Sequence, residues 1–311
     1  MRPRVLVAAP LVGDAVARLS TLADVDQADH PLGRDELLAR VRGVAGLVSL
    51  LVHHVDAELL GAAPTLRVVG NHAVGVDNVD LAACAARGVV VTNTPGVLTE
   101  ATADLAFALL LDAARRVTEG DRLVRAGAWQ GWAPTAHLGR RVHGATLGIV
   151  GFGRIGRAVA ARARGFSMRV LYTSRSVVEG VDARRVSLSE LLAEADFVSL
   201  HAPLDASTRG MIGAAELAAM RPGAVLVNTA RGALVDEAAL VDALRAGRLA
   251  AGLDVYRDEP AVPAALRALP NVVLAPHVGS ADVPARAAMA DLACEGVAAV
   301  LEGREPRHRV R

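Results

Sequence analysis

Three short segments of the chain place a residue able to do proton or anion chemistry just after an apolar run. They are AVLVNTARG with Arg231, AAGLDVYRDEP with Glu259, and NVVLAPHVGS with His277. An arginine, a glutamate and a histidine gathered at one place suit the reduction of a carbonyl. The guanidinium can hold a carboxylate and polarise the carbonyl beside it, the imidazolium can deliver a proton, and the carboxylate can keep that imidazole charged and oriented. Taken singly, each has a plainer explanation: His277 as a hydrogen-bonded structural histidine, Glu259 as a surface acid ahead of Pro260.

A fourth segment supplies a place for the other reactant. TLGIVGFGRIGRAVAARARGF reads as an apolar strand, then Gly151, Gly153 and Gly156, then a helix opening near Arg154. Glycines at these spacings permit a tight turn, close approach of backbone to a pyrophosphate and close packing of helix on strand, while the helix N-terminus attracts the anion. About 20 residues on, where an acid would hold the ribose of NAD, the chain reads LYTSR. Ser174 and Arg175 remove the charge that would repel a 2′-phosphate and offer a planar guanidinium to bind one. The pair predicts NADP(H) as the preferred dinucleotide, with NAD(H) also accommodated; the plainer alternative is an Arg175 that points into solvent.

The elements that must carry these residues alternate. RVLVAA, GLVSLL, LRVVG and VVVTN read as buried strands, and DAVARLSTL, RDELLARV, DAELLG and LAACAARG between them carry helical spacing. From Thr99 a longer helical stretch, TEATADLAFALLLDAARRVTEGDRLVRAG, breaks the alternation. The aperiodic AWQGWAPTAHLGRRVHG that follows reads as a connecting arm. A second series has ATLGIVG, MRVLYT, FVSLHAP, AVLVNTA, AAGLDVY and NVVLAPH as strands, and a last helix from about Asp282 to Leu301. Strand–helix alternation with short connections predicts parallel sheets covered on both faces, hence an α/β chain of two doubly wound, Rossmann-like domains. The catalytic candidates then fall at strand ends, where open parallel sheets place their ligands.

Composition narrows the partners. With 34 basic and 33 acidic residues in 311, a formal charge of +1, the chain has no field suggesting a nucleic-acid or anionic-membrane partner. Every basic residue other than histidine is arginine. Cys84 and Cys294 stand far apart, without CxxC or His spacing, so neither a disulfide scaffold nor a metal site is expected and a reduced, cytoplasmic setting is. The N-terminal MRPRVLVAAPLVG has arginines before a short apolar run, as signal peptides do, but Asp14 and the amphipathic residues after it read better as a strand passing into a helix. No apolar stretch reaches the ~20 residues of a membrane span.

Beside these readings stands a resemblance. NHAVGVDNVD (71–80), VTNTPGVLTEATADLAFALLL (91–111), LGIVGFGRIG, VNTARG, GLDVYRDEP and PHVGS occur in the order and spacing of the D-isomer-specific 2-hydroxyacid dehydrogenases. The chain resembles that family over essentially its whole length, and most of all its glyoxylate/hydroxypyruvate reductase branch. The resemblance implies that Arg231, Glu259 and His277 are the catalytic residues. It also implies a discontinuous substrate domain of residues 1–98 and 283–311, a dinucleotide domain of residues 99–282, and an active site in the cleft between them. Thr102, Arg154, Ile155, Asn228, Thr229, Ala230, Asp254 and Gly279 match positions that face the cofactor. The backbone of Ala73, Val74 and Gly75 matches a loop that binds the substrate carboxylate, and Asn71, His72, Leu50 and Leu51 would line the substrate end, although packing explains the leucines as well.

The implied reaction is reduction of a small 2-oxo acid, glyoxylate or hydroxypyruvate. Other D-2-hydroxyacid, phosphoglycerate or phosphite dehydrogenases are the alternatives within the family, and a dinucleotide-binding corepressor is the alternative outside catalysis. No cluster of arginines near NHAVG favours a phosphorylated substrate. The region from Thr99 to His143 resembles the family's dimer-forming part, which implies a homodimer in which Trp129 and Trp132 fill the interface or reach the neighbour's cleft. Asp282 departs from the small residue or threonine common after GSA.

Overall fold

The computed structural model describes residues 2–310. In chain order it runs β1 (Arg4–Val7), α1 (Ala15–Leu19), β2 (Asp24–Gln27), α2 (Arg34–Arg40), β3 (Gly46–Ser49), α3 (Ala57–Ala62), β4 (Val68–Asn71), α4 (Leu81–Ala86) and β5 (Val90–Thr92). Helices α5 (Thr99–Arg115) and α6 (Val117–Arg125) follow. Next come β6 (Thr146–Val150), α7 (Arg154–Arg164), β7 (Arg169–Thr173), β8 (Arg184–Arg185), α8 (Leu188–Glu194), β9 (Phe197–Leu200), α9 (Ala214–Ala219) and β10 (Val225–Asn228). A 3-10 turn (Gly232–Leu234), α10 (Glu237–Arg245), β11 (Ala250–Leu253), α11 (Ala264–Arg267), β12 (Val272–Leu274) and α12 (Val283–Leu301) complete the series. The chain divides into two compact units, one holding the residues up to Leu98 and from Ser280 on, the other Thr99–Gly279.

The first unit is built on a parallel sheet of order β2-β1-β3-β4-β5. Strands β3 and β4 are buried along their whole length, which is why they read as unbroken apolar runs. Strand β2, DVDQ, carries no such signal. It is an edge strand with charged, partly exposed residues, and pairing with β1 is what makes it a strand. Helix α12 closes one face: Met289, Ala290, Ala293 and Val297 are buried, and a methyl on Gly70 of β4 would come within 2.5 Å of the Ala293 carbonyl. Asp282 is the N-cap of this helix, its Oδ1 accepting the Ala285 N–H at 2.5 Å, and Pro284 stands in the first turn.

The second unit has a seven-stranded sheet of order β12-β11-β10-β9-β6-β7-β8, every pair parallel. Strand order reverses between β6 and β9, the point at which such sheets open a crevice beyond their carboxyl ends. The long helical stretch expected from Thr99 is two helices. Arg116 lies in the left-handed region at φ 58°, and Asp112 of α5 caps α6 by accepting the Thr118 N–H at 2.7 Å and the Thr118 hydroxyl. Residues 126–145 have neither helix nor strand, and within them Trp129 is 58% exposed and Trp132 85%. Among the described residues no helix is long and apolar enough to cross a membrane.

Candidate active site

Gly151 follows β6 directly, at φ +91°. A Cβ there would lie 2.4 Å from the Ala202 nitrogen, so the backbone after β9 closes against the turn. Gly156 is packed likewise: its Cβ would meet the Gly151 carbonyl at 2.3 Å. In front of Gly153 there is open space. This residue caps α7 without a side chain, leaving the first N–H groups of an 11-residue helix to an incoming anion. Two glycines that cannot be replaced and a third that leaves room are what a dinucleotide pyrophosphate requires, and the turn fits that group. Arg154 is exposed beside it and Ile155 half-buried.

Because all seven strands are parallel, the loops after them share one edge of the sheet. Moving outward from the glycine turn in one direction they carry Ala202 after β9, Asn228 to Arg231 at the end of β10, Asp254 to Glu259 after β11, and His277 after β12. In the other direction lie Ser174 and Arg175 after β7. Asn228 shapes its own turn, Oδ1 accepting the Ala230 N–H at 3.0 Å and Nδ2 donating to the Arg231 carbonyl at 2.9 Å. Thr229 is buried with no hydrogen-bond partner for its hydroxyl.

The three residues singled out for carbonyl chemistry are neighbours. The His277 Nδ1–H donates to Glu259 Oε2 at 2.6 Å, with side chains 24% and 26% exposed, and Glu259 Oε1 accepts the Tyr256 N–H at 2.9 Å. Burial pushes the Glu259 carboxyl up, but the bonds from His277 and Tyr256 and the charges of His277 and Arg231 outweigh it, so the group is held below its usual range and is a carboxylate near neutral pH. With Nδ1 committed to the carboxylate, Nε2 is the nitrogen left for a substrate. Arg231 donates from Nη1 to the Ala230 carbonyl at 2.8 Å.

The residues that position this group include Tyr256 and Gly232, which the sequence does not single out, and Asp254, which the resemblance places toward the cofactor and which instead uses both oxygens on the loop of His277. His277 sits in the left-handed region at φ 55°, uncommon for a residue with a side chain. The turn is held by Asp254, which is 0% exposed and whose two oxygens accept the Val278 and Gly279 N–H groups at 2.7 Å each. Burial is the main influence pushing the Asp254 carboxyl up, against those two bonds. Tyr256 ties the Glu259 loop to the end of β12, its hydroxyl donating to the Ala275 carbonyl at 2.9 Å, and burial pushes the phenol up to about 12. A Cβ on Gly232 would fall 2.0 Å from the Tyr256 carbonyl carbon and 2.2 Å from its oxygen, so the Arg231 loop reaches the Glu259 loop only because residue 232 is glycine. A glycine directly after a candidate arginine was the one available hint.

In the first unit the NHAVG loop is tied down through its carbonyls. Ala73 O accepts from Thr94 N at 2.9 Å, Val74 O from Asn93 Nδ2 at 2.8 Å, and Gly75 O from Asn71 Nδ2 at 2.9 Å. In a trans peptide the following N–H points the opposite way. The N–H groups of Val74, Gly75 and Val76 are therefore turned away from the groups that anchor the loop. The Ala73 N–H donates to the Asn71 carbonyl at 2.8 Å. Asn71 is buried and serves as a brace. It also accepts from Ser49 Oγ and pairs with Asn78, whose Nδ2 reaches the Leu50 and His53 carbonyls at 3.2 and 3.0 Å. His72 is buried too, while Leu50 and Leu51 are half-buried.

Residues 107–279 match the model of the NAD binding domain of the D-isomer specific 2-hydroxyacid dehydrogenases. The chain belongs to that family. Relatives cover this dehydrogenase from end to end. It is 46% identical to the glyoxylate reductase of Thermococcus litoralis, the match spanning 100% of this chain and 97% of the relative. It is 45% identical to the glyoxylate reductase of Pyrococcus furiosus over 98% of this chain and 94% of that protein. Among solved structures, the NADPH-dependent glyoxylate/hydroxypyruvate reductase of Sinorhizobium meliloti in complex with NADP and malonate superposes with a TM-score of 0.89. It is 38% identical and matches over 100% of this chain and 97% of that one. The fold and family expected from the sequence are borne out.

Proposed function

We propose that this dehydrogenase reduces glyoxylate or hydroxypyruvate to the corresponding 2-hydroxy acid and uses NADP(H) in preference to NAD(H). The observation that carries the chemistry is the 2.6 Å pairing of His277 with Glu259, within electrostatic reach of Arg231. The names of the full-length relatives support the substrate class. When bound, the dinucleotide supplies the reducing equivalent. Arg231 holds the substrate carboxylate and polarises the adjacent carbonyl. His277 gives the proton on Nε2 to the carbonyl oxygen as it becomes an alcohol, and Glu259 keeps the ring turned through its bond to Nδ1. Asp254 fixes the loop that carries the ring.

Residues up to 98, with α12, form the proposed substrate domain, in which the backbone of the NHAVG loop is the proposed carboxylate-binding segment. Leu50 and Leu51 are the proposed lining of the substrate end, with packing an equal account of both. Residues 99–279 form the dinucleotide domain, with the glycine turn for the pyrophosphate, Thr102, Thr229 and Gly279 toward the cofactor, and Ser174 and Arg175 for the ribose phosphate. Helices α5 and α6 with the exposed arm after them are the proposed homodimer interface.

Initial rates with NADPH and NADH against glyoxylate, hydroxypyruvate, pyruvate, bulkier 2-oxo acids, 3-phosphoglycerate and phosphite test the whole assignment. The highest kcat/KM is expected for glyoxylate or hydroxypyruvate with NADPH. Greater turnover of 3-phosphoglycerate or phosphite would move the chain elsewhere in the family, and binding without turnover of any acid would remove it from catalysis.

A further inference from the structure

We infer that Arg185 is a further specificity-determining residue: it holds the Ser174–Arg175 turn in the form that receives a 2′-phosphate and adds a second positive charge there. This rests on the NADP(H) reading above. Strand β8 is only two residues long, is paired to β7 alone, and presents two exposed arginines. Arg184 is engaged by Glu194 at 2.8 and 3.0 Å. Arg185, opposite Tyr172 in the register, reaches toward the turn instead. Its Nη2 donates to the Ser174 carbonyl at 2.9 Å and to the Arg175 carbonyl at 3.3 Å, and its Nε to the Ser174 carbonyl at 3.3 Å.

Those bonds do two things for an anion. They cover two carbonyl oxygens that would otherwise repel a phosphate, and they bring a fixed cation beside Arg175. The rest of the turn is anchored independently. Tyr172 Oη accepts the Val178 N–H at 3.1 Å, and Ser174 Oγ donates to the Ser176 carbonyl at 2.5 Å, a bond that one side-chain rotation exchanges for a phosphate oxygen. An acid within electrostatic reach of Arg175 is Asp205, whose carboxylate accepts the Ser207 and Thr208 N–H groups at 2.8 and 3.2 Å. Arg185 is a positioning residue in this account and takes no part in the chemical step.

The test is calorimetric binding of adenosine 2′,5′-bisphosphate and of AMP to the intact protein and to Arg185→Ala and Arg185→Lys. Arg185→Ala is expected to weaken the bisphosphate about tenfold, through loss of the brace on the turn and of one nearby positive charge, with AMP changed less than about twofold. Arg185→Lys should recover part of the loss, since an ammonium supplies charge without the fork that spans two carbonyls. KM for NADPH should rise in step with kcat retained. If the unaltered protein binds the two nucleotides equally, the NADP(H) reading falls and this inference with it. If it prefers the bisphosphate, and Arg185→Ala either keeps that preference or loses both nucleotides alike, the role of Arg185 alone is overturned.

Discussion

Glu259 joins two loops with one carboxylate: Oε2 accepts the His277 Nδ1–H at 2.6 Å while Oε1 accepts the Tyr256 N–H at 2.9 Å. The acid and its counter-ion are therefore held by the same pair of oxygens that fixes the loop after β11. Removing the charge while keeping the shape separates the two roles.

Glu259→Gln retains a hydrogen-bond acceptor but withdraws the negative charge beside the His277 ring. Reduction draws its proton from the ring that Glu259 orients, so kcat should fall by about 10²-fold. Steady-state rates check this, and an unchanged kcat would take Glu259 out of this role. The same carboxyl is held below its ordinary range in the fold. Its contribution to stability is thus present near neutrality and is lost as pH falls through the acid range below the ordinary carboxylate value of about 4.3.

Gly232→Ala places a methyl against the Tyr256 carbonyl, at distances that only backbone movement can relieve. The expected cost is on the order of 1–3 kcal/mol, read from urea denaturation. A fall in kcat larger than the loss of folded protein should accompany it, because the Arg231 and Glu259 loops part. Full activity in a destabilised variant would show that their close approach serves packing alone.

Ser174→Asp combined with Arg175→Ala restores the acid that a ribose 2′-hydroxyl needs and repels a 2′-phosphate. The ratio of kcat/KM for NADPH to that for NADH should drop on the order of 10²-fold, about 2.7 kcal/mol. Steady-state kinetics with each cofactor decide it, and an unchanged ratio would remove the turn after β7 from cofactor choice.

Asp282→Ala deletes the side-chain cap of α12 and should cost ~1 kcal/mol, seen as a lowered urea midpoint with unchanged slope. KM for cofactor should stay as it was. Restoration by Asn would identify capping as the contribution of this acid.

What the sequence reveals here follows from what each residue interacts with. Buried strands such as GLVS and VLVN announce themselves because both faces need apolar residues, and Gly151, Gly153 and Gly156 stand out because their spacing serves one local turn. Strand β2 is silent since DVDQ acquires its conformation from β1, and the break at Arg116 hides inside a good helical pattern because the Asp112 cap outweighs it. Arg231, Glu259 and His277 are readable as types, but their meeting depends on Gly232, Tyr256 and Asp254, which act through backbone groups distant in the sequence. The orientation of the NHAVG loop is set by which of its carbonyls Asn71, Asn93 and Thr94 engage, something no local pattern encodes.

The chain has two tryptophans, and both stand exposed on the irregular arm after α6. Indole emission excited at the red edge is consequently a gauge of that arm, with the interior of the protomer optically silent. Any surface that came to cover the arm would move that emission to shorter wavelength, so a fluorimeter alone reads whether the arm is wet or covered, without any label.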